Sequence, residues 1–381
     1  MKLAVIGAAL LAAGVVAAVT GVLPAEDVAA IGERVWPILL FVVAITIVAE
    51  LAAIAGLFDV VAAFLARLSG GRTWTLWLLV VALAVVCTSF LSLDTTAVLL
   101  TPVVVGVAKA NRLPPLPFAL ATVWLANTAS LALPVSNLTN LLAVHRLDAG
   151  TGEFLALLGP SALIAVVVTV AILALVNRRD LRGRFDPAPA PAVGDRPLLI
   201  VSAIVVTALL PLLVSGLDPW IPALAAAAVM VIVYVVRAPR ALRPGLVPWQ
   251  LVVFASGLFL AVGALQSLGA DAVIAAVAGH GDDLPALVRL AGTGLVGANA
   301  IDNLPAYLAL ENTADTPARL GALLVGVNAG PLITPWASLA TLLWHQRLEA
   351  AGVRIGWGRY ALLGLCAAPV IVFLAVLPLA L

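Results

Sequence analysis

Residues 284–310 read LPALVRLAGTGLVGANAIDNLPAYLAL, and residues 73–108 read TWTLWLLVVALAVVCTSFLSLDTTAVLLTPVVVGVA. Each is an apolar run with a polar middle, NAIDN in the first and SLDTT in the second. One membrane crossing takes about 20 apolar residues, so neither run crosses comfortably twice. In 284–310 only seven residues separate Asn303 from Glu311, about 10 Å of helix at ~1.5 Å per residue. The chain therefore enters and turns back, and both runs are read as re-entrant helical hairpins.

Outward from these hairpins, apolar runs bounded by charges or Pro/Gly clusters place spans near 3–20, 35–55, 116–145, 155–176, 198–215, 219–236, 246–267, 318–346 and 357–381. Stretches 57–68 and 270–278 continue the spans before them, after breaks at Gly56 and Gly269, so the spans number nine. With 64% hydrophobic and 10% charged residues, no soluble domain could hide the apolar surface. The fold class is an all-α polytopic membrane protein, with the lipid bilayer as its first partner. The first run lacks a small-residue cleavage site and more membrane sequence follows it, so it reads as a span and not a signal peptide. With the N-terminus in the cytoplasm, sixteen of the twenty Lys and Arg residues lie inside, and only Arg34, Arg146, Arg289 and Arg319 lie outside. A multi-pass protein of the cell's inner (plasma) membrane is expected.

Several function classes fall away. Lys2 and Lys109 are the only lysines and the net charge is +1, so there is no basic face for nucleic acid and no Walker A loop for ATP. Cys87 and Cys366 are too far apart to found a zinc site or a disulfide framework. Neither H-E-x-x-H nor G-x-S-x-G occurs, which argues against an intramembrane enzyme. No cofactor and no metal are expected.

The chain also matches itself. Trp36, Phe41 and Gly56 meet Trp249, Phe254 and Gly269 at an offset of 213; Asp94 answers Asp302 at 208; Asn127, Pro134 and Leu138 meet Asn328, Pro335 and Leu339 at 201. At that last offset Asn137 faces Ser338 and Asn140 faces Thr341. Each copy then holds a span, a broken span, a hairpin, a second broken span and a final span. The first repeat takes 1–176, a flexible Arg- and Pro/Ala-rich cytoplasmic linker takes 177–197, and the second repeat takes 198–381 with 198–215 as an extra helix. Five crossings before copy two make the repeats inverted.

Polar residues are costly at mid-membrane, and they cluster here at matching places of the two copies. The clusters are Ser92-Leu93-Asp94-Thr95-Thr96, Ser136-Asn137 after Pro134, Asn299-Ala300-Ile301-Asp302-Asn303, and Thr334-Pro335 through Ser338. The prolines interrupt apolar helices and expose half-helix N-termini, so tips and breaks are expected to converge on one polar site. The substrate-binding set is Ser92, Asp94, Thr95, Thr96, Ser136, Asn137, Asn299, Asp302, Asn303, Thr334 and Ser338. Asp94 and Asp302 are the candidates for proton coupling. Plainer roles stand beside these: helix capping for both aspartates, back-bonding for the Ser and Thr hydroxyls, and bracing of the breaks for Asn127 and Asn328. Glu50 and Asp59 read as helix-end residues, and Cys87 reads as a small packed side chain.

At these clusters the chain resembles the arsenical-pump membrane proteins, the arsenite/antimonite efflux branch of the ion transporter superfamily. The likeness covers most of the chain. It is carried by Asn127-Thr128-Ala129-Ser130-Leu131 with Val135-Ser136-Asn137-Leu138, by Leu99-Leu100-Thr101-Pro102 after Asp94, and by Gly330-Pro331 through Thr334-Pro335 to Ser338-Leu339-Ala340-Thr341-Leu342-Leu343-Trp344. Leu93 stands where that family has Asn, Asp302-Asn303 where it has paired Asn, and Ala337 where it has Gly. The resemblance implies hairpins, an inverted repeat and a secondary active transporter exporting arsenite or antimonite in exchange for protons. It leaves a homodimer and a separate ATPase subunit open as partners. The alternative is a sodium/proton antiporter or a carboxylate/anion transporter of the same superfamily.

Overall fold

A computed structural model describes residues 2–189 and 192–381, and the side chains of these apart from residues 2, 3 and 270–273. Two residues of the expected linker, 190 and 191, lie outside the described residues. Among the described residues the chain is helical, with no strand beyond an isolated bridge between Arg72 and Arg184.

In the first half α1 (Lys2–Val19) leads to α2 (Ala25–Ile54) and α3 (Leu57–Leu68). The first hairpin runs down α4 (Thr73–Leu91), turns at Ser92, and returns through α5 (Leu93–Thr95), a π-helical stretch Thr96–Leu100 and α6 (Thr101–Ala110). Next come α7 (Leu116–Thr128), α8 (Leu138–Leu147) and α9 (Thr151–Val176). After α10 (Arg196–Leu212) the second half repeats the order: α11 (Trp220–Arg237), α12 (Trp249–Ser267), α13 (Ala270–Ala278), a hairpin of α14 (Leu284–Ile301) and α15 (Asn303–Leu310), then α16 (Pro317–Ala329), α17 (Leu339–Ala350) and α18 (Trp357–Val376).

The matched residues take matched backbone. Gly56 between α2 and α3 has φ 82° and ψ 17°, and Gly269 between α12 and α13 has φ 85° and ψ 19°. That left-handed conformation is open to glycine at little steric cost, so both helices break at the same kind of joint. Asn137 before α8 (φ −151°, ψ 147°) and Ser338 before α17 (φ −148°, ψ 148°) are likewise twins. The packing is reciprocal as well: α1 lies along α12, and α11 lies along α2, where the Tyr234 hydroxyl donates to the Leu51 carbonyl at 2.6 Å. All of this is compatible with two inverted repeats.

Eight helical segments among the described residues are long and apolar enough to cross a membrane. Five are expected spans (α2, α9, α11, α12 and α18), and three belong to the hairpins (α4, Leu93–Ala110 and α14). The other four expected spans are the shorter apolar helices α1 and α10, and α7–α8 and α16–α17, where Pro134 and Pro335 cut the helix. Both central helices are enclosed: α7 is buried from Pro117 to Thr128 and α16 from Arg319 to Ala329. Outer helices keep large apolar side chains exposed, Ile204, Ile232 and Val236 among them, as lipid contact requires.

Loop contacts separate the two ends of the bundle. At the basic end, Thr73 N–H donates to Gly183 O, Ala188 N–H to Asn111 Oδ1, and Lys109 Nζ to Ala351 O. Both roots of the first hairpin are thus held at that end. Asp195 there caps α10 and pairs with Arg237 at 3.2 Å. The Leu198 amide first, with help from Arg237, holds its carboxyl below the usual carboxylate range against the opposing effect of desolvation. At the opposite end, Arg34 makes two bonds to Glu311, at 3.0 and 2.7 Å, and Arg146 reaches Asn312. Arg289 and Arg319 donate to carbonyls of residues 276–281, at the C-terminal end of α13 and just beyond it. Every arginine expected on that side therefore has an acceptor in the fold.

Candidate functional site

Among the described residues other than glycine, the two hairpin tips have the largest positive φ. Ser92 has φ 87° and ψ 159°, and Asp302 has φ 100° and ψ 154°. That region is essentially reserved for glycine and costs another residue about 1–3 kcal/mol. Each tip residue caps the helix after it: Ser92 Oγ accepts from Thr95 N–H at 3.4 Å, and Asp302 Oδ1 accepts from Leu304 N–H at 3.2 Å. The backbone equivalent of Asp302 is therefore Ser92, at an offset of 210, and not Asp94. Asp94 sits two residues further on, where the second hairpin has Leu304.

The tips meet the first residues of the two cut helices around a central cavity of about 50 Å³. Its walls come in pairs from the two halves: Phe41 with Phe254, Ser92 with Asp302, Leu93 with Asn303, Asp94 with Leu304, and Leu138 with Leu339. Asn137 completes the polar wall. Of the expected site residues, Ser92, Asp94, Asn137, Asp302 and Asn303 are brought together here. Asp94 Oδ1 is buried without a hydrogen-bond partner. No Lys, Arg, His or Cys lines the cavity.

The remaining expected residues stand behind this wall. Thr95 lines a neighbouring vestibule. Thr96 Oγ1 donates to Ser92 O at 3.0 Å and accepts from Thr88. Ser136 Oγ donates to Ser130 O and Leu133 O. Asn299 clasps the second break, accepting from Ile333 N–H at 3.1 Å and Thr334 N–H at 3.0 Å, and donating to Gly330 O at 2.9 Å. Thr334 Oγ1 donates back to Asn299 O, and Ser338 Oγ exchanges a hydrogen bond with Thr341 Oγ1. These side chains shape the two breaks.

Asn328 braces the first break from the other half. Its Oδ1 accepts from Asn137 Nδ2 at 2.9 Å and Thr139 Oγ1 at 2.8 Å, and its Nδ2 donates to Asn140 Oδ1 at 2.7 Å. Asn127, its counterpart, donates to Val123 O one turn back and keeps a buried, unpartnered Oδ1.

Two larger vestibules flank the cavity. One of about 470 Å³ opens between Glu50, Arg347, residues 245–248 and the start of α12 at the basic end, and shares Thr46, Asp94, Leu251 and Leu339 with the central cavity. The other, of about 600 Å³, is bounded by Arg34, Trp220 and residues 148–151 at the opposite end, and shares only Phe41 and Leu141 with it. A polar group thus faces the basic end, while two apolar side chains stand toward the other. Thr46, Phe41 and Phe254 were not among the expected site residues, although the Phe pair had appeared as a repeat match. Among the described residues no group of three His, Cys, Asp or Glu could hold a metal ion.

Comparison with known proteins adds a family. A family model described as a citrate transporter, CitMHS, matches residues 1–343. The arsenical pump membrane protein of Escherichia coli (strain K12) is 29% identical, over 96% of this chain and 91% of that protein. The arsenical pump membrane protein of Yersinia enterocolitica is 29% identical over the same shares. A 46 kDa membrane protein of Mycobacterium leprae is 25% identical over 89% of this chain and 85% of its own length.

Proposed function

The chain belongs to the citrate transporter family, CitMHS, of multi-pass membrane transporters, and from that premise we propose that it exports arsenite or antimonite in exchange for protons. The observation that carries this reading is the wall of the central cavity: two carboxylates, Asp94 and Asp302, and no cationic side chain. A citrate-like polyanion would meet like charge at close range, which costs free energy in a low-dielectric site. A cavity of about 50 Å³ has room for about four waters at ~10–15 Å³ each, the scale of a neutral arsenic trihydroxide. The hydroxyls of such a solute would donate to Asp302 and Asp94 and accept from Asn303, the Ser92 hydroxyl being engaged with Thr95 and the Asn137 amide with Asn328 and Ser130.

No thiolate trap supports the alternative of tight three-sulfur binding, since Cys87 is buried away from the cavity and Cys366 is exposed. Hydrogen-bond recognition suits transport, because the solute must leave as readily as it enters. A sodium/proton antiporter is the second reading, favoured by the same pair of carboxylates, which could also hold a small cation.

The transport cycle follows from alternating access between inverted halves 1–176 and 198–381. The basic end is the cytoplasmic face by the positive-inside rule, and the protein sits in the inner membrane. Substrate enters through the vestibule beside Asp94 and displaces a proton from the carboxylate pair. The site then opens past Phe41 and Leu141, where substrate leaves and a proton is taken up. The test is uptake into inside-out vesicles with an acid lumen, comparing arsenite, sodium and dicarboxylates. Arsenite accumulation that collapses with the pH gradient is expected, and Asp94→Asn should abolish it while keeping arsenite-for-arsenite exchange. Asp302→Asn should be milder. Dicarboxylate uptake without arsenite uptake would overturn the proposal.

A further inference from the structure

Glu50 is an acidic residue set inside α2 between the buried Ala49 and Leu51. An acidic side chain within a transmembrane helix costs roughly 2.5–3.5 kcal/mol at its centre unless it faces water or a partner. Glu50 is half-buried and makes no hydrogen bond or ion pair among the described residues. What it faces is the 470 Å³ vestibule at the basic end, whose wall it shares with Asp94. Thr46 is one helical turn before Glu50 on the same face of α2. Thr46 lines both the vestibule and the central cavity. Its hydroxyl hydrogen is committed to Val42 O at 2.7 Å, which leaves its oxygen as an acceptor for water.

A second observation points to a ligand. Asp94 belongs to both walls, and its buried Oδ1 has no partner in the fold, although a buried polar atom is ordinarily satisfied. An unsatisfied carboxylate oxygen where the vestibule meets the central cavity, and an unpaired carboxylate elsewhere on the vestibule wall, are the two ends of a proton path through vestibule water. The other charged groups here are Arg347, across the vestibule on α17, and Asp302, across the central cavity; residues 245–250 contribute none.

We propose that Glu50 accepts the proton that leaves Asp94 and hands it to water at the basic end, a step that rests on the proton-exchange reading above. The O–H bond of the Asp94 carboxylic acid breaks, and its proton passes through vestibule water to form an O–H bond on Glu50. Glu50 then releases it to solvent and is ionised as it began, while Asp94 is left as the carboxylate that regains its proton when substrate leaves at the opposite end. Glu50 does not touch substrate; it clears the proton so that substrate can load at Asp94.

The experiment uses the full chain in proteoliposomes and measures two modes across pH, proton-driven arsenite transport and arsenite counterflow without a pH gradient. Glu50→Gln should slow the proton-driven mode about 10²-fold, the lower range for a lost proton-transfer group, and counterflow far less. Glu50→Asp should keep most of the proton-driven rate. Imidazole, small enough for the vestibule, should restore the Glu50→Gln rate severalfold and leave Asp94→Asn unchanged. Wild-type proton-driven rates in Glu50→Gln, alongside an uncoupled Asp94→Asn, would overturn this step and leave the exchange reading standing. Equal loss of both modes in Glu50→Gln and Glu50→Asp without imidazole rescue would make Glu50 structural and also overturn it. If Asp94→Asn keeps its proton coupling, the exchange reading falls, and this step with it.

Discussion

Gly364→Ala should deform the second break from the outside. Gly364 lies in α18 against the irregular chain before α17, and a Cβ there would stand 1.8 Å from Leu332 O, 2.5 Å from Leu332 C and 2.9 Å from Ile333 Cα. All three are backbone atoms, so no rotamer change relieves them. Ordinary contact begins at 3.4 Å, so the segment must retreat by about 1.6 Å from the 1.8 Å approach. The clasp of Asn299 on Gly330 O, Ile333 N–H and Thr334 N–H, at 2.9, 3.1 and 3.0 Å, cannot survive that shift intact. Overpacking costs about 1–3 kcal/mol and three weakened hydrogen bonds cost about 1 kcal/mol each, against a helix-propensity gain of about 1 kcal/mol for Ala over Gly. The balance is a loss of roughly 3–5 kcal/mol. Gly358→Ala in the same helix, with nothing within 4 Å of its Cβ, should be neutral or slightly stabilising. Thermal unfolding in detergent, paired with vesicle transport, makes the comparison. A Gly364→Ala protein that melts and transports like wild type would refute the reasoning, as would equal damage from Gly358→Ala.

Other expectations follow from the same geometry. Asn328→Ala strips the acceptor from Asn137 and Thr139 and the donor from Asn140, so it should lower stability by roughly 2–3 kcal/mol and impair transport more than Asn127→Ala does, as read by melting and uptake. Replacing Cys87 and Cys366 together by Ser or Ala should leave arsenite resistance nearly intact; loss of resistance in a well-expressed cysteine-free protein would revive thiolate recognition. A reporter after Arg178 should be cytoplasmic and one at Leu381 extracellular, and both on one side would contradict the inverted arrangement.

Much of this was legible because punctuation residues carry their geometry with them. Gly56 and Gly269 could be paired in the sequence since a left-handed joint selects glycine, and both take it. Asn137 and Ser338 could be paired despite their different chemistry, because order and the nearby prolines fixed their offset. The first tip was misaligned for a physical reason. Asp94 was matched to Asp302 by residue identity, whereas the tip needs only a capping oxygen, which Ser92 supplies as well as Asp302 does. The division between wall and brace was not legible either. Asn299 and Asn303 look alike in sequence, yet one is consumed by backbone bonds and the other lines the cavity. Thr46 and Glu50 sit in an apolar helix with no motif around them, and only its packing turns them toward the vestibule.

The exchange of partners between halves bears on how the protein is made. α1 lies along α12, and α2 along α11, so α1 lacks its main mate until the second half is in the bilayer, while α2 has α3, α8 and the first hairpin to pack on. About 230 residues separate the end of α1 from the start of α12, which at ~5–20 residues per second is roughly 10–50 s of translation. Through that interval α1 waits without its main packing partner, and the first half is incomplete along that face. Neither half is then an independent folding unit, and two separately synthesised halves would have to find each other in the membrane to complete either one.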